Sequence, residues 1–246
     1  MKIIPLASSS KGNAYAVVKD GEVILIDCGL TCKNLCARCA EKGIDAASIT
    51  AVLITHDHSD HVEGLRVFLN KFDVPVYANI MTAEKITHKY GVAAESFVCF
   101  ENGQEFDIGA FGVTPFSTPH DAVDSVGYLI RTEGLTYFHG TDIGTPLDSI
   151  GRNLAQADVA TLESNHDPGL LLSSDRDESL KRRILGPRGH LSNSQAADLV
   201  RKFATDKLKK LYLAHLSEEC NAPHIAEREM RSALDERKLG VELIIL

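Results

Sequence analysis

Three imidazoles and two carboxylates crowd into the run Thr55-His56-Asp57-His58-Ser59-Asp60-His61. Neutral imidazole together with carboxylate suits Zn, Mn or Fe. The run directly follows an apolar stretch ending at Ile54, and a loop leaving the C-terminal end of a strand can turn several ligands into one crevice. The plainer alternative is a polar helix start with surface histidines. Packing, however, gives no reason for His and Asp to follow a buried strand at this density. Four further residues stand at the ends of apolar stretches: Asp27 in Leu25-Ile26-Asp27-Cys28-Gly29, His120 in Thr118-Pro119-His120-Asp121, Asp142 in Gly140-Thr141-Asp142, and His215 in Ala214-His215-Leu216-Ser217. Taken alone, His120 reads equally as a rim histidine and Asp142 as a turn residue.

The elements that must hold these residues alternate along the chain. Asp20-Gly21 separates two apolar stretches, 14–19 and 22–27, and is a hairpin turn because both positions tolerate positive φ. A helix from Thr31 to Gly43 and a buried strand over 49–55 follow. Helices are expected near 61–71, 80–90, 146–155, 175–185, 192–204 and 222–237. Strands are expected near 74–79, 97–100, 104–118, 125–140, 158–162, 209–214 and 241–246. The strands fall into two sets, which predicts two sheets with helices outside them. The segment 163–192 is the least regular, with Asn, Asp, Gly, Ser and Pro around a basic run.

The chain has 246 residues, 44% hydrophobic and 24% charged, a balance that excludes disorder and fibres and is read as a single folded domain over 1–246. No stretch approaches the ~18 uninterrupted apolar residues of a membrane span, and the first residues are too short for a signal-peptide core. The expectation is a cytoplasmic protein without a membrane partner. A formal net charge of -8 argues against a broadly basic nucleic-acid surface, although two divalent cations would halve it where an anionic substrate approaches. Oligomerisation is left open. Cys32, Cys36 and Cys39 have the spacing of an iron–sulfur motif, but at i, i+4 and i+7 they form one apolar stripe of a helix.

The ordered set His56, His58, Asp60, His61, then His120, Asp142 and His215, resembles the metallo-β-lactamase superfamily, whose signature is His-x-His-x-Asp-His. The resemblance runs along the whole chain. It implies an α/β fold, the four-layer αβ/βα sandwich, with two divalent metal ions, Zn or Mn or Fe. One would be held by His56, His58 and His120, the other by Asp60, His61 and His215, with Asp142 bridging. Asp27 and Thr55 would orient the ligand loop. A hydroxide activated by both metals would be the nucleophile, and Asp60 would be indispensable to catalysis.

Four more segments are similar to the YycJ/VicX/WalJ branch of that superfamily: Leu6 to Ala14, Leu162-Glu163-Ser164-Asn165-His166-Asp167, Arg188-Gly189-His190-Leu191-Ser192-Asn193, and His215 to Asn221. That branch implies a metal-dependent DNA exonuclease, running 5′ to 3′. Ser8, Ser9, Ser10 and Asn13 would offer donors to phosphate, in the manner of an anion nest. Ser192 and Gln195 form a capping box, which would leave free amides beside His190. His190 would bind phosphate or protonate the leaving oxygen, with Lys181, Arg182, Arg183 and Arg188 adding positive charge. His139 and His166 are assigned to the core or to supporting roles, and His88 and His224 to solvent. A small-molecule hydrolase of the same fold, a cyclic phosphodiesterase or a lactonase, is the alternative, and it suits the acidic charge better. A non-catalytic binding protein would not be expected to keep all seven ligands.

Overall fold

The computed structural model describes residues 1–246 and opens with β1 (Lys2–Ala7), paired antiparallel with β2 (Ala14–Lys19). Asp20 and Gly21 turn the chain into β3 (Glu22–Ile26) with φ of 50° and 89°, the conformation expected of that pair. Then come α1 (Cys32–Glu41), β4 (Ile49–Leu53), α2 (Ser59–Val62), α3 (Leu65–Lys71), β5 (Val76–Asn79), α4 (Ile80–Tyr90) and β6 (Phe97–Phe100). The second half runs β7 (Phe106–Ile108), β8 (Phe111–Ser117), β9 (Val126–Thr132), β10 (Leu135–Gly140), α5 (Asp148–Leu154), β11 (Val159–Glu163), α6 (Pro168–Ser173), α7 (Glu178–Leu185), α8 (Asn193–Phe203), β12 (Lys210–Ala214), α9 (Pro223–Glu236) and β13 (Glu242–Ile245). One sheet has the order β1-β2-β3-β4-β5-β6, the other β13-β12-β11-β10-β9-β8-β7. No helix is long and apolar enough to cross a membrane.

Chain contacts divide the molecule into two compact units, Met1–Pro115 with Ala122–Val126, and Phe116–Asp121 with Gly127–Leu246. In the first, Leu35, Leu65, Phe68, Ala83 and Ile86 of the helices bury against Leu25, Val52 and Ala78 of the sheet. Each Leu, Ile, Val or Phe among them contributes about 1.5–3 kcal/mol if fully removed from water. Cys32 and Cys39 lie on this same buried stripe of α1, whose Thr31 hydroxyl caps the Asn34 amide. In the second unit, Ile150, Leu154, Ala197, Val200 and Met230 cover Leu129, Phe138, Leu162 and Leu213.

Several elements depart from expectation. The helix expected over 61–71 is two, α2 and α3, broken at Gly64. A Cβ there would lie 1.9 Å from the Leu30 carbonyl oxygen, and the Gly64 amide donates to Cys28 O at 2.9 Å. The stretches 104–118 and 125–140 are each hairpins, turned at Gly109 (φ 53°) and Gly134 (φ 77°). The irregular segment 163–192 contains α6, where Asp167 caps the Leu170 amide and Pro168 occupies the first turn. Asp-Pro-Gly reads as a turn, yet Asp followed by Pro is also how helices start.

Candidate metal centre

In the first unit the strand ends β3 and β4 lie side by side, and the ligand loop leaves from the second. Asp27 takes φ of 60°, uncommon for a non-glycine residue and tolerated best by Asp and Asn. Its carboxylate accepts from the Thr55 amide at 2.9 Å and from the Thr55 hydroxyl at 2.9 Å. His61 Nδ1 donates at 2.7 Å to Oδ2, the oxygen that also accepts from the Thr55 hydroxyl. Burial pushes the Asp27 carboxyl up, and His61 and Thr55 offset only part of that rise. His56 Nδ1 donates to the Thr55 hydroxyl at 3.0 Å. The His56 ring centre is 4.0 Å from that of His61 and 4.7 Å from that of His58. Asp60 Oδ2 is 3.4 Å from His61 Nε2.

Gly29 and Gly64 make this possible. A Cβ on Gly29 would sit 1.7 Å from the Asp60 carbonyl oxygen, so only glycine lets the segment after Asp27 press against the ligand loop. The Cys28 amide donates to His61 O at 2.8 Å across the same contact. Asp57, the remaining carboxylate of the run, accepts from the Val123 amide at 3.1 Å and so braces a neighbouring loop.

In the second unit Asp142 and His215 also follow strands and also take left-handed φ, 56° and 58°. Such conformations persist where the surroundings overdetermine them, often at functional sites. Asp142 Oδ1 lies 3.6 Å from His120 Nε2, 3.5 Å from His215 Nδ1 and 3.6 Å from His190 Nδ1. His120 Nδ1 donates to Gly189 O at 3.0 Å. At the centre stands Glu163, fully buried at the end of β11. Its Oε1 accepts from His190 Nδ1 at 2.8 Å and from His215 Nδ1 at 2.9 Å, and its Oε2 from the amides of Ile143 and Leu191 at 2.9 Å each. Burial alone would raise this carboxyl, but the charge of His190 and the hydrogen bonds from His190 and His215 outweigh it and hold the group well below the usual range. Asp142, Glu163, His190 and His215 offer ligand atoms within 4.8 Å of one another.

These residues fit divalent cations. His56, His61, His120 and His215 are each fixed through Nδ1, by Thr55, Asp27, Gly189 O and Glu163 respectively. With the proton on Nδ1, the lone pair is on Nε2, the arrangement found when imidazole ligates a metal and its other nitrogen is held by oxygen.

The structure thus gathers Asp27, Thr55, His56, His58, Asp60 and His61 within one unit, and His120, Asp142, His190 and His215 within the other. Glu163 lies in the Leu162 to Asp167 segment, whose sequence by itself assigns it no role. Its signal was a carboxylate closing a five-residue strand otherwise without charge. His139 is buried with Nδ1 on the Tyr137 hydroxyl at 3.0 Å, and His166 is buried, while His88 and His224 are exposed.

The phosphate contacts need correction. Asn13 is fully buried, with its amide nitrogen on Ser9 O, Asp60 and His61, so it cannot serve as a donor to substrate. The Ser192 hydroxyl accepts from the Gln195 amide in the expected capping box. The amides expected to be free are used, Ser192 N on Gln195 Oε1 and Asn193 N on His166 O. Ser8 accepts from the Tyr15 hydroxyl at 2.8 Å, the Ser9 hydroxyl accepts from the Lys11 amide, and Ser10 is exposed. Lys11 does not take positive φ. Of the basic run only Lys181 is buried, against Leu172 O and Glu178, while Arg182, Arg183 and Arg188 are exposed, Arg183 paired with Asp121 and Arg188 Nε donating to His120 O at 2.7 Å.

A family model described as a beta-lactamase superfamily domain matches residues 22–216. Among named proteins, Exodeoxyribonuclease YycJ of Bacillus anthracis is 34% identical over 237 residues, covering 96% of this chain and 90% of that one. Exodeoxyribonuclease WalJ of Streptococcus pneumoniae is 34% identical over 239 residues, covering 96% and 89%. Among solved structures, the metallo-beta-lactamase fold protein YhfI from Bacillus subtilis superposes with a TM-score of 0.74 at 18% identity, covering 99% of this chain and 95% of that one.

Proposed function

The chain belongs to the beta-lactamase superfamily, and from that premise we propose that it is a metal-dependent phosphodiester hydrolase acting on DNA as an exonuclease. The named exodeoxyribonucleases it resembles over nearly its whole length support the substrate and the reaction. The observation in the molecule that carries the reading is the Glu163–His190 pair. His190 is the half-buried member, held at Nδ1 by a fully buried carboxylate, so its Nε2 faces away from Glu163. A ring fixed in this way can pass a proton at Nε2 to the oxygen that leaves phosphorus.

The ligands are those the resemblance assigns: His56, His58 and His120 for one cation, Asp60, His61 and His215 for the other, and Asp142 for both, with Zn or Mn as the ions. When bound, the cations supply Lewis acidity, lowering the proton affinity of a water and offsetting charge on the attacked phosphate. Asp27 and Thr55 orient His61 and His56. Glu163 orients His190 and His215 together, and the exposed Ser10 and its neighbours Ser8 and Ser9 meet the phosphate chain. The polarity is 5′ to 3′, the protein works in the cytoplasm, and residues 1–246 act as one hydrolase domain.

The pairing of Lys181 with Glu178 and of Arg183 with Asp121 favours a second reading, a hydrolase of small phosphodiesters, because two charges of the basic run are already offset by carboxylates before a polymer arrives. End-labelled single-stranded and duplex DNA, with and without 5′-phosphate, separates the two when incubated with Mn- or Zn-loaded protein. Progressive shortening from the 5′ end is expected. Asp60→Ala should abolish it and lower metal content, and His190→Ala should reduce it about 10²- to 10⁴-fold with metal retained. Intact DNA beside rapid turnover of cyclic or aryl phosphodiesters would transfer the assignment to the second reading.

A further inference from the structure

Asn13 stands where a ligand atom of the proposed centre does its bonding. Its backbone is welded to the ligand loop, with Asn13 N donating to Asp60 O at 2.8 Å and Gly29 N to Asn13 O at 2.9 Å. Its side chain is fully buried. Oδ1 accepts from the Ser9 amide at 3.2 Å, which fixes the orientation of the group: turned over, it would set its oxygen against the Asp60 carboxylate and its nitrogen against an N–H. Nδ2 therefore faces three acceptors, Ser9 O at 2.9 Å, Asp60 Oδ2 at 3.2 Å and His61 Nε2 at 3.1 Å. It has two protons for them. One serves Ser9 O, and the other is shared between Asp60 and His61.

The two recipients differ in what they can accept. A carboxylate oxygen has two lone pairs, so Asp60 can keep a hydrogen bond while binding a cation. His61 has its Nδ1 proton on Asp27 at 2.7 Å, which leaves Nε2 with a single lone pair. That lone pair can receive the Asn13 proton or a metal ion, never both.

We propose that Asn13 is a positioning residue that substitutes for the cation at the Asp60–His61 position. Its N–H holds the two ligands together, and a cation enters by displacing it from His61. This rests on the two-cation reading above. The consequence is a built-in asymmetry between the two ions. The ion at Asp60 and His61 must break a buried hydrogen bond to bind, so it is the weaker and more exchangeable one. Asn13→Asp replaces the donor by an anion beside Asp60, which removes the competitor and adds a ligand charge. It should tighten the second equivalent by about tenfold, since affinity follows ligand charge count, and leave the first unmoved.

The test is Zn uptake by chelator-treated full-length protein, followed by calorimetry and by nitrogen NMR of uniformly ¹⁵N-labelled wild type. An N–H···N bond carries a scalar coupling between its two nitrogens. Before Zn, that coupling should join Asn13 Nδ2 to His61 Nε2. It should survive the first equivalent and vanish with the second. Two equivalents bound with the coupling absent throughout, or persisting at saturation, would overturn the role of Asn13 while leaving the two-cation reading intact. Uptake of a single equivalent would instead overturn the two-cation reading, and this inference with it. The NMR measurement needs no variant, so it decides the matter even if Asn13→Asp folds poorly.

Discussion

The two units build their clusters of candidate ligands in opposite ways. In the first, His56, His58, Asp60 and His61 come from one loop, and the supporting structure is mainly backbone: strand ends side by side and two glycines that let chains touch. In the second, His120, Asp142, Glu163, His190 and His215 come from five separate segments, and what unites most of them is one side chain. Glu163 accepts from two imidazoles and two amides that are distant in sequence. A site made by local sequence depends on how closely the backbone can approach. A site made by convergence depends on a buried charge.

That contrast can be broken first at the backbone. Gly29→Ala should destabilise the first unit by at least about 4 kcal/mol, or prevent folding, because the clash is with the Asp60 carbonyl and not with a flexible side chain. Chemical denaturation measures it. A loss below 1 kcal/mol would mean that the loop can step aside and that backbone contact does not organise the ligands.

The convergent unit should respond through function rather than stability. Glu163→Gln keeps the shape but can no longer accept from both imidazoles as an anion, and it should lower activity or metal affinity about 10- to 100-fold. The comparison sharpens if metal uptake and turnover fall together in Glu163→Gln at unchanged unfolding midpoint. It fails if only the midpoint moves.

The smallest expected effect concerns His166, which is buried with no hydrogen bond at either ring nitrogen. Burial, above all, pushes its pKa from 6.5 down to about 4. Between those values the unfolded chain binds a proton that the folded chain refuses, so stability falls as the pH drops from 6.5 toward 4. The loss between pH 7 and pH 5 should be roughly 1–2 kcal/mol. Urea unfolding at the two pH values should show it in wild type, and the slope should flatten in His166→Phe. An equal slope in both would assign the acid sensitivity elsewhere.

Residues whose function follows from neighbours in sequence were legible without coordinates. The run from Thr55 to His61, the Asp20-Gly21 turn, the buried face of α1 and the capping box at α8 all depend on spacing within a few residues, and periodicity reports that spacing directly. The strand-end positions of Asp27, Asp142 and His215 were legible for the same reason. Their left-handed backbone was not, since only the packing around a turn selects it.

What the tertiary structure alone decided is where long-range hydrogen bonds end. Sequence presented Asn13, Ser192, Lys181, Arg183 and Arg188 as groups free to meet phosphate. The fold satisfies Asn13, Ser192 and Lys181 internally, because a polar group removed from water must find a partner wherever the chain supplies one, and it pairs the exposed Arg183 and Arg188 with Asp121 and the His120 carbonyl. Glu163 is the converse case. Its type and position were plain in the sequence, but its role exists only where segments around Asp142, His190 and His215 arrive together, and no local pattern encodes that meeting. The amino-acid order by itself determined which groups could bind metal and which local elements would present them. The tertiary structure decided which of the remaining polar groups are committed to holding those ligands in place.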